Sequence, residues 1–408
     1  MEATIQMLTL EVITTFGVTA FVVLLWREVR NKHLVLWVPS YMASRARSLS
    51  GSRRPQRHEP QDIIFCVVDH FEPIAAGSTR EQEQAVMRDW LRRYPALAAR
   101  HRDSDGRPPQ HTWFYPAENY NEEYLTDLAH LCRQGLGEIE LHLHHGYDTA
   151  ETLRVKIKQA LSDFARHGAL VTQERPPRQV YGFIHGNMAL DNSCNDPALC
   201  GVDDEITVLK ETGCFADFSL PTAPCVSQAR KVNAVYYATD DPVRPKSHDT
   251  GVDVEVGRPP TGDLMIVQGP LAFNWHRRKW GLLPRIENAD IQGANPATPE
   301  RIRTWVRQHI AVKGRSDWVF VKVSCHGAED RNREALLGEP ADRLFAFLEE
   351  EYRDRPGYRL HYVTARELYN IVKAAEAGER DDPGQYRDYC IAPYQTHDLR
   401  VATRGALP

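Results

Sequence analysis

The chain predicts an α/β fold, a parallel sheet with helices packed outside it. Three observations carry that reading. Eight short runs rich in Val, Ile, Leu and Phe recur at 62–68, 111–115, 137–143, 179–184, 213–219, 264–269, 317–324 and 358–363. Segments with helical apolar spacing lie between most of them. The runs are close to continuously apolar, the pattern of strands covered on both faces. Seven or eight strand–helix units predict a closed or nearly closed barrel. An open doubly wound sheet fits less well, because no glycine-rich nucleotide loop follows the first run.

The elements follow in order. Leu8 to Trp26 is 19 residues of apolar sequence with one charge, Glu11. That length can cross a bilayer core of about 30 Å. No Lys or Arg precedes the run and no small-residue cleavage site follows, so residues 1–32 read as an uncleaved anchor. Arg27, Arg30, Lys32, Arg45, Arg47, Arg53, Arg54 and Arg57 come after it. By the positive-inside rule the rest of the chain lies in the cytoplasm. Residues 33–61 read as an interfacial segment, with Trp37 and Tyr41, running into a Ser-, Arg- and Pro-rich linker. The body spans 62–378, with a Pro-, Asp- and Gly-rich excursion at 222–262 and a tail at 379–408.

Helix signals inside the body are specific. Thr79 with Gln82 forms a capping box before a helix to about Arg100, and Asn121 caps one carrying Tyr124, Leu125, Leu128, Leu131 and Cys132. Leu153, Ile157, Ala160, Leu161 and Phe164 mark another apolar face. Thr298-Pro299 opens a helix with Ile302, Trp305, Val306, His309 and Ile310 inward. Thr364 and Glu367 box the last helix.

Apolar content of 42% supports a packed core, and a net charge of −5 without a basic stripe excludes a nucleic-acid partner. The eight cysteines include no C-x-x-C pair. Cys66, Cys132 and Cys325 read as inert core thiols, while Cys194 and Cys200 bracket a loop that an oxidising compartment would close.

Polar groups gather where the apolar runs end, which is where such sheets place their sites. The first run delivers Asp69, His70 and Glu72, the second Glu118 and Asn119, the third His142, His144, His145 and Asp148. Later runs deliver His185 and Asn187, then Asp217, then Asn274, Trp275 and His276, then His326. Imidazoles with a carboxylate at neighbouring strand ends are the parts of a divalent metal site, most simply zinc. His142 and His144 lie two apart, so they share one side of a strand, and His145 points elsewhere unless the strand has ended. The expected ligands are His70 with two of His142, His144 and His145. Asp69 is the expected base that activates water, and His326 the expected proton donor to a leaving group. His185, Asn187 and Asp217 would orient His326 or bind substrate hydroxyls, beside Asn274. Trp275 and Trp280 suit stacking on a sugar ring. His248 on the excursion is a candidate lid group.

On these residues the chain resembles the polysaccharide deacetylase family of carbohydrate esterases, over about 62–372. Val68-Asp69-His70 stands where the family has an Asp-Asp pair, so Asp69 matches its base and His70 replaces its metal-binding Asp. His142 with His144 or His145 matches the paired histidines at tighter spacing. Ser324-Cys325-His326 matches the late strand-His motif. Its Arg-x-Pro-Tyr motif is missing, with His185-Gly186-Asn187 near its place, and of its Asp-rich motif only Asp217 is evident.

The resemblance implies a deformed (β/α)7 barrel and a metal-dependent enzyme that removes N-acetyl groups from an amino sugar. With the anchor, it implies an envelope or exopolysaccharide substrate, free or lipid-linked, and a place beside a polysaccharide-assembly complex. Family members often work outside the cytoplasm, which opposes the charge bias. Two other expectations stand beside it: a catalytically silent saccharide-binding or scaffold barrel, and a glycoside hydrolase using Asp69 with Asp217 or Glu118.

Overall fold

A computed structural model describes residues 15, 19–50 and 60–397. Its strands are β1 (Gln61–His70), β2 (His111–Pro116), β3 (Gly137–Leu143), β4 (Tyr181–His185), β5 (Cys214–Asp217), β6 (Val235–Ala238) and β7 (Val252–Asp253). They continue with β8 (Leu264–Val267), β9 (Ala272–Lys279), β10 (Leu283–Glu287), β11 (Asp290–Ile291), β12 (Trp318–Cys325) and β13 (Tyr358–Val363). All eight expected runs are strands.

The fold is α/β with one large, mostly parallel sheet of 11 strands, ten in the order β11-β12-β1-β2-β3-β4-β5-β8-β6-β7 and β13 paired to β1 off that path. β1 is its centre. Along one edge it pairs β12 from Asp62↔Trp318 to Asp69↔Cys325. Along the other it pairs β13 over its first half and β2 over its second, at Val67–His70. Among the described residues only β6 runs against the others, pairing antiparallel with β7 and β8.

Alternation along β1 sends its residues into two cores. Ile63, Phe65 and Val67 meet Trp90, Leu125, Leu128, Ile157 and Leu344 from the helices on one face. Ile64, Cys66 and Val68 meet Phe114, Ile184, Ala216, Met265, Phe320 and the helix Ala365–Ala377 on the other. A strand covered twice has no water-facing side, which is why its sequence is apolar without a break.

The sheet curls without closing. A Cβ on Gly269, just past β8, would lie 2.5 Å from the Lys322 carbonyl oxygen of β12, so backbones meet there and glycine is required. β8 and β12 share no ladder, and Lys322 spans the gap by donating from Nζ to the Phe218 and Leu220 carbonyls.

Local signals held where they were specific. Both capping boxes, at Thr79–Gln82 and Thr364–Glu367, and the Asn121 cap are formed. The helix after Thr298 stops at Val306, short of the expected face, and His309 at φ 54 turns the chain away. The excursion at 222–262 is partly sheet, because β6 pairs β8. The stretch after β8 is an antiparallel hairpin, β9–β10, off the main sheet.

The tail is docked to residue 397: Tyr394 Oη donates to Glu140 Oε1 at 2.7 Å, and Arg366 to the Ile391 carbonyl at 2.6 Å. The expected interfacial segment and linker form a helix, Leu34–Ser50, whose Trp37 is buried against Leu271 and Phe273; residues 51–59 lie outside the described residues. Most of the expected anchor also lies outside them. Among the described residues no helix is long and apolar enough to cross a membrane, so the transmembrane helix is not supported here.

β13 carries a buried charge cluster. His361 Nδ1 faces Asp105 Oδ2 and its Nε2 faces Asp62 Oδ1, each at 2.9 Å. Burial alone would lower its pKa, but the two hydrogen-bonded carboxylates outweigh burial and raise it from 6.5 to about 9. A folded-state pKa above the unfolded one stabilises fully below about pH 6.5 and is lost as pH rises through about 9. The unfolding free energy from urea titrations should therefore fall between pH 6 and pH 10 by an amount on the order of 3 kcal/mol. His361→Asn should flatten that dependence; an unchanged slope would remove His361 as its source.

Candidate metal centre

Strand parity decides which groups meet. On β1, His70 continues the side of Ile64, Cys66 and Val68. On β3, His142 shares a side with Glu138 and Glu140, while Ile139, Leu141 and Leu143 enter the helix-facing core. The register Asp69↔Cys325 sets His326 beside His70 at the C-terminal edge of the sheet. The His70 and His326 rings stack with centroids 4.6 Å apart, and His142 stands edge-on to His70 at 5.0 Å. His144 stands edge-on to His142 at 4.7 Å.

The Glu72 carboxylate sits among the four rings. Its Oε1 lies 3.1 Å from His142 Nε2 and 3.8 Å from His144 Nε2. Donor atoms of His70, Glu72 and His326 fall within 4.8 Å of one another, as do those of Glu72, His142 and His144. His142 and His70 are buried, whereas His144 and Glu72 stay about one-third exposed, so the group opens to solvent on one side.

Its electrostatics favour a cation. Burial, then the neighbouring charges of His326 and His142, hold His70 well below the usual imidazole range. Burial also lowers His142 despite its hydrogen bond to Glu72. Burial pushes Glu72 up, but the His142 hydrogen bond and the imidazole charges together hold it below its usual range. At neutral pH His70 and His142 are neutral rings beside an anionic carboxylate, the state in which such groups bind metal, whereas burial of His144 is outweighed by its Glu118 hydrogen bond and the Glu72 charge, which raise it.

Two further observations fit. The Nδ1 atoms of His70 and His142 are buried without a partner, an arrangement costing roughly 1–3 kcal/mol each if left unmet. His144 Nδ1 is 2.6 Å from Glu118 Oε1 while its Nε2 faces the cluster. A carboxylate behind the far nitrogen is how metal-ligating histidines are oriented.

Buried His, Cys and Glu side chains also gather nearby, at His145, His185, Cys200 and Glu205, close enough together to hold a metal ion. Hydrogen bonds orient part of this second group, while His145 Nδ1 and His185 Nε2 make none. His145 lies between Glu205 Oε1 at 3.0 Å and Asp148 Oδ2 at 3.2 Å, and Cys200 Sγ donates to Glu205 Oε2 at 3.4 Å. His185 Nδ1 accepts the amides of Asn187 and Ala189, which places the ring proton on Nε2, facing Glu205 Oε2 at 3.8 Å. A protonated Nε2 is no metal donor. Burial raises Glu205, yet the His185 and His145 charges outweigh it and lower the carboxyl to about 2.

The structure therefore unites His70, His142, His144 and His326, and separates the other expected site residues. Asp69 is one residue from His70 and so faces the opposite side of the sheet. Its Oδ2 is 2.9 Å from His111 Nε2, and its Oδ1 accepts the Gly327 amide at 2.6 Å. Trp90 Nε1 donates to the Gly327 carbonyl at 3.1 Å. Asp69 is thus no base in this cluster; it locks the turn that carries His326.

His145 turns into the second group instead of the first. His185 is fully buried there and reaches no substrate. Asn187 donates to the His145 and Leu199 carbonyls and holds the loop. Asp217 is buried, bonded to Ser219 through both oxygens, and burial raises its carboxyl to about 7 next to Lys322. Asn274 and Trp275 lie on the β9–β10 hairpin, where Asn274 contacts Glu287. His248 is buried and reaches no surface. Cys194 and Cys200 are both free thiols, and Cys194 lies within hydrogen-bonding reach of the Cys225 thiol.

Glu72 was the central residue that the sequence reading left unassigned. β1 ends at His70, so strand alternation does not place Glu72, and its closeness in sequence to His70 is its one signal. Asp290 had no such signal: it comes from β11, and it lies near enough to His326 for their charges to interact. No family model matches the chain, and no curated protein matches it.

Zinc titration with elemental analysis should find one metal per chain, lost in His70→Ala and His142→Ala. Asp69→Asn should keep the metal while losing about 1–3 kcal/mol of folding stability. Loss of metal in Asp69→Asn with unchanged stability would contradict the separation of Asp69 from the site.

Proposed function

We propose that this chain is a metal-dependent hydrolase on a deformed (β/α)7 barrel, removing N-acetyl groups from an amino sugar. The observation that carries it is four imidazoles around Glu72 at one strand-end rim. The parallel strands β12-β1-β2-β3-β4-β5-β8 follow the order of such a barrel. The sugar comes from the resemblance of the motifs at His70, His142 and His326.

His70, His142 and His144 would hold the metal, with Glu118 behind His144. A divalent ion, most simply zinc, supplies a Lewis acid that polarises the acetyl carbonyl and acidifies water. Glu72, anionic and partly exposed between the rings, takes the proton from the attacking water. His326, stacked on His70 and near Asp290, donates a proton to the departing amine. Gly327, held by Asp69 and Trp90, keeps that ring in place.

The glycoside hydrolase alternative loses its pair, because Asp69 and Asp217 are both fully buried. An anchor at Leu8–Trp26 would keep the enzyme at the cell membrane, suiting an envelope or exopolysaccharide saccharide, lipid-linked or within an assembly complex. The charge bias favours the cytoplasmic face.

Acetate release from N-acetylated oligosaccharides is the test. The expected result is activity abolished by chelator, restored by zinc, and absent in His142→Ala. His326→Ala should keep its metal and lose about 100-fold or more in kcat. Activity indifferent to chelator, or a metal-loaded protein that binds sugar and releases no acetate, would overturn the proposal; the latter outcome would leave the silent saccharide-binding barrel.

A further inference from the structure

The tryptophans divide into two sets. Trp37, Trp90, Trp113, Trp305 and Trp318 are at most 1% exposed. Trp26, Trp275 and Trp280 are 52–57% exposed. The exposed three belong to one structural unit. Trp26 lies in the helical stretch 19–31, and Trp275 and Trp280 lie on the β9–β10 hairpin and its turn. Lys279 of the hairpin donates to Glu28, which also holds Lys32 at 2.8 Å. Trp37 and Tyr41 of the next helix pack on Phe273 of the hairpin.

Each exposed indole carries a cation over its ring: Arg30 on Trp26 at 5.2 Å, Arg278 on Trp275 at 5.9 Å, and Lys279 on Trp280 at 4.6 Å. Leu282 at the hairpin turn and Phe21 to Leu25 are exposed as well. The hairpin has Arg277, Arg278, Lys279 and Arg285, and its one acid, Glu287, is buried on Arg301. Its outward side is therefore aromatic, aliphatic and cationic, and the Glu28 carboxylate that meets Lys279 comes from the neighbouring helix.

That chemistry fits one partner. Indoles with apolar bodies and polar edges settle at bilayer interfaces, and Arg and Lys beside them meet anionic headgroups. The apolar run Leu8–Trp26 ends at the same unit, so the chain itself brings a bilayer to this face. We propose that the β9–β10 hairpin is a second membrane contact. Trp275, Trp280 and Leu282 enter the interface, and Arg277, Arg278 and Lys279 bind anionic lipid. The proposal rests on the anchor reading only for the side from which the membrane approaches.

The test uses the full chain in phosphatidylcholine–phosphatidylglycerol vesicles with brominated acyl chains. Trp26→Phe leaves Trp275 and Trp280 as the exposed indoles. Their emission should be quenched, more by shallow than by deep bromines, and Trp275→Phe with Trp280→Phe should abolish the effect. Replacing Arg277, Arg278 and Lys279 by Gln should weaken hairpin contact by about fivefold per cation. Bromine quenching in the wild type but not in Trp26→Phe, with iodide still quenching from water, would overturn the hairpin contact and leave the anchor standing. A wild-type chain that stays off the vesicles would overturn both. Equal quenching on purely zwitterionic vesicles would overturn the lipid-charge assignment.

Discussion

Everything at the candidate site depends on strict two-residue alternation along β1 while that strand is buried on both faces. The strand is clamped by β12 on one edge and by β13 and then β2 on the other, so its register cannot slip. A one-residue shift would exchange the two faces. It would put Asp69 among the imidazoles and send His70 against Trp90. With the observed register, adjacent polar residues do different work: His70 faces the metal cluster, and Asp69 holds the backbone at Gly327 from behind.

The two faces solve different problems for buried polar groups. On the Asp69 side both carboxylate oxygens find partners within the chain, at His111 and Gly327, and Trp90 holds the Gly327 carbonyl. The group around Glu205 turns His145 Nε2 and the Cys200 thiol toward one carboxylate, but His145 Nδ1 and His185 Nε2 find no hydrogen-bond partner there. The His70 cluster is not closed. Two ring nitrogens lack partners, four imidazoles stand too near one another to be charged together, and an anionic carboxylate lies between them. Low dielectric makes such an arrangement costly unless a cation completes it. The His70 cluster opens to solvent through His144 and Glu72, whereas the Glu205 group is fully buried, and that access marks the first as the candidate reactive centre.

The hairpin between β8 and β11 shows a second division of labour. Its inner residues, Phe273 and Ile286, join Trp37 in a small apolar cluster of their own. Its outer residues expose indoles and cations. The same hairpin leads into β11, which pairs Ser324 and Cys325 just before His326. The surface that faces outward and the rim that carries the imidazoles are therefore joined by a few residues of backbone.

Much of this protein was legible in one dimension. All eight strands, the capping boxes and the paired spacing of His142 and His144 depend on neighbours within a few residues, and local sequence determines such features by itself. So did the meeting of His70, His142 and His326, because strand ends in a parallel sheet share one edge. What needed the tertiary structure was long-range. Asp69 and His145 looked equivalent to their neighbours until the register fixed which side each faced. Glu72 gained its place from four rings brought together out of three strands. The hairpin at Asn274 and Trp275 resembled a strand end because its apolar content is the same, and only pairing partners distinguish the two. Side-chain chemistry is written in the chain, but burial and facing are set by contacts between residues hundreds of positions apart.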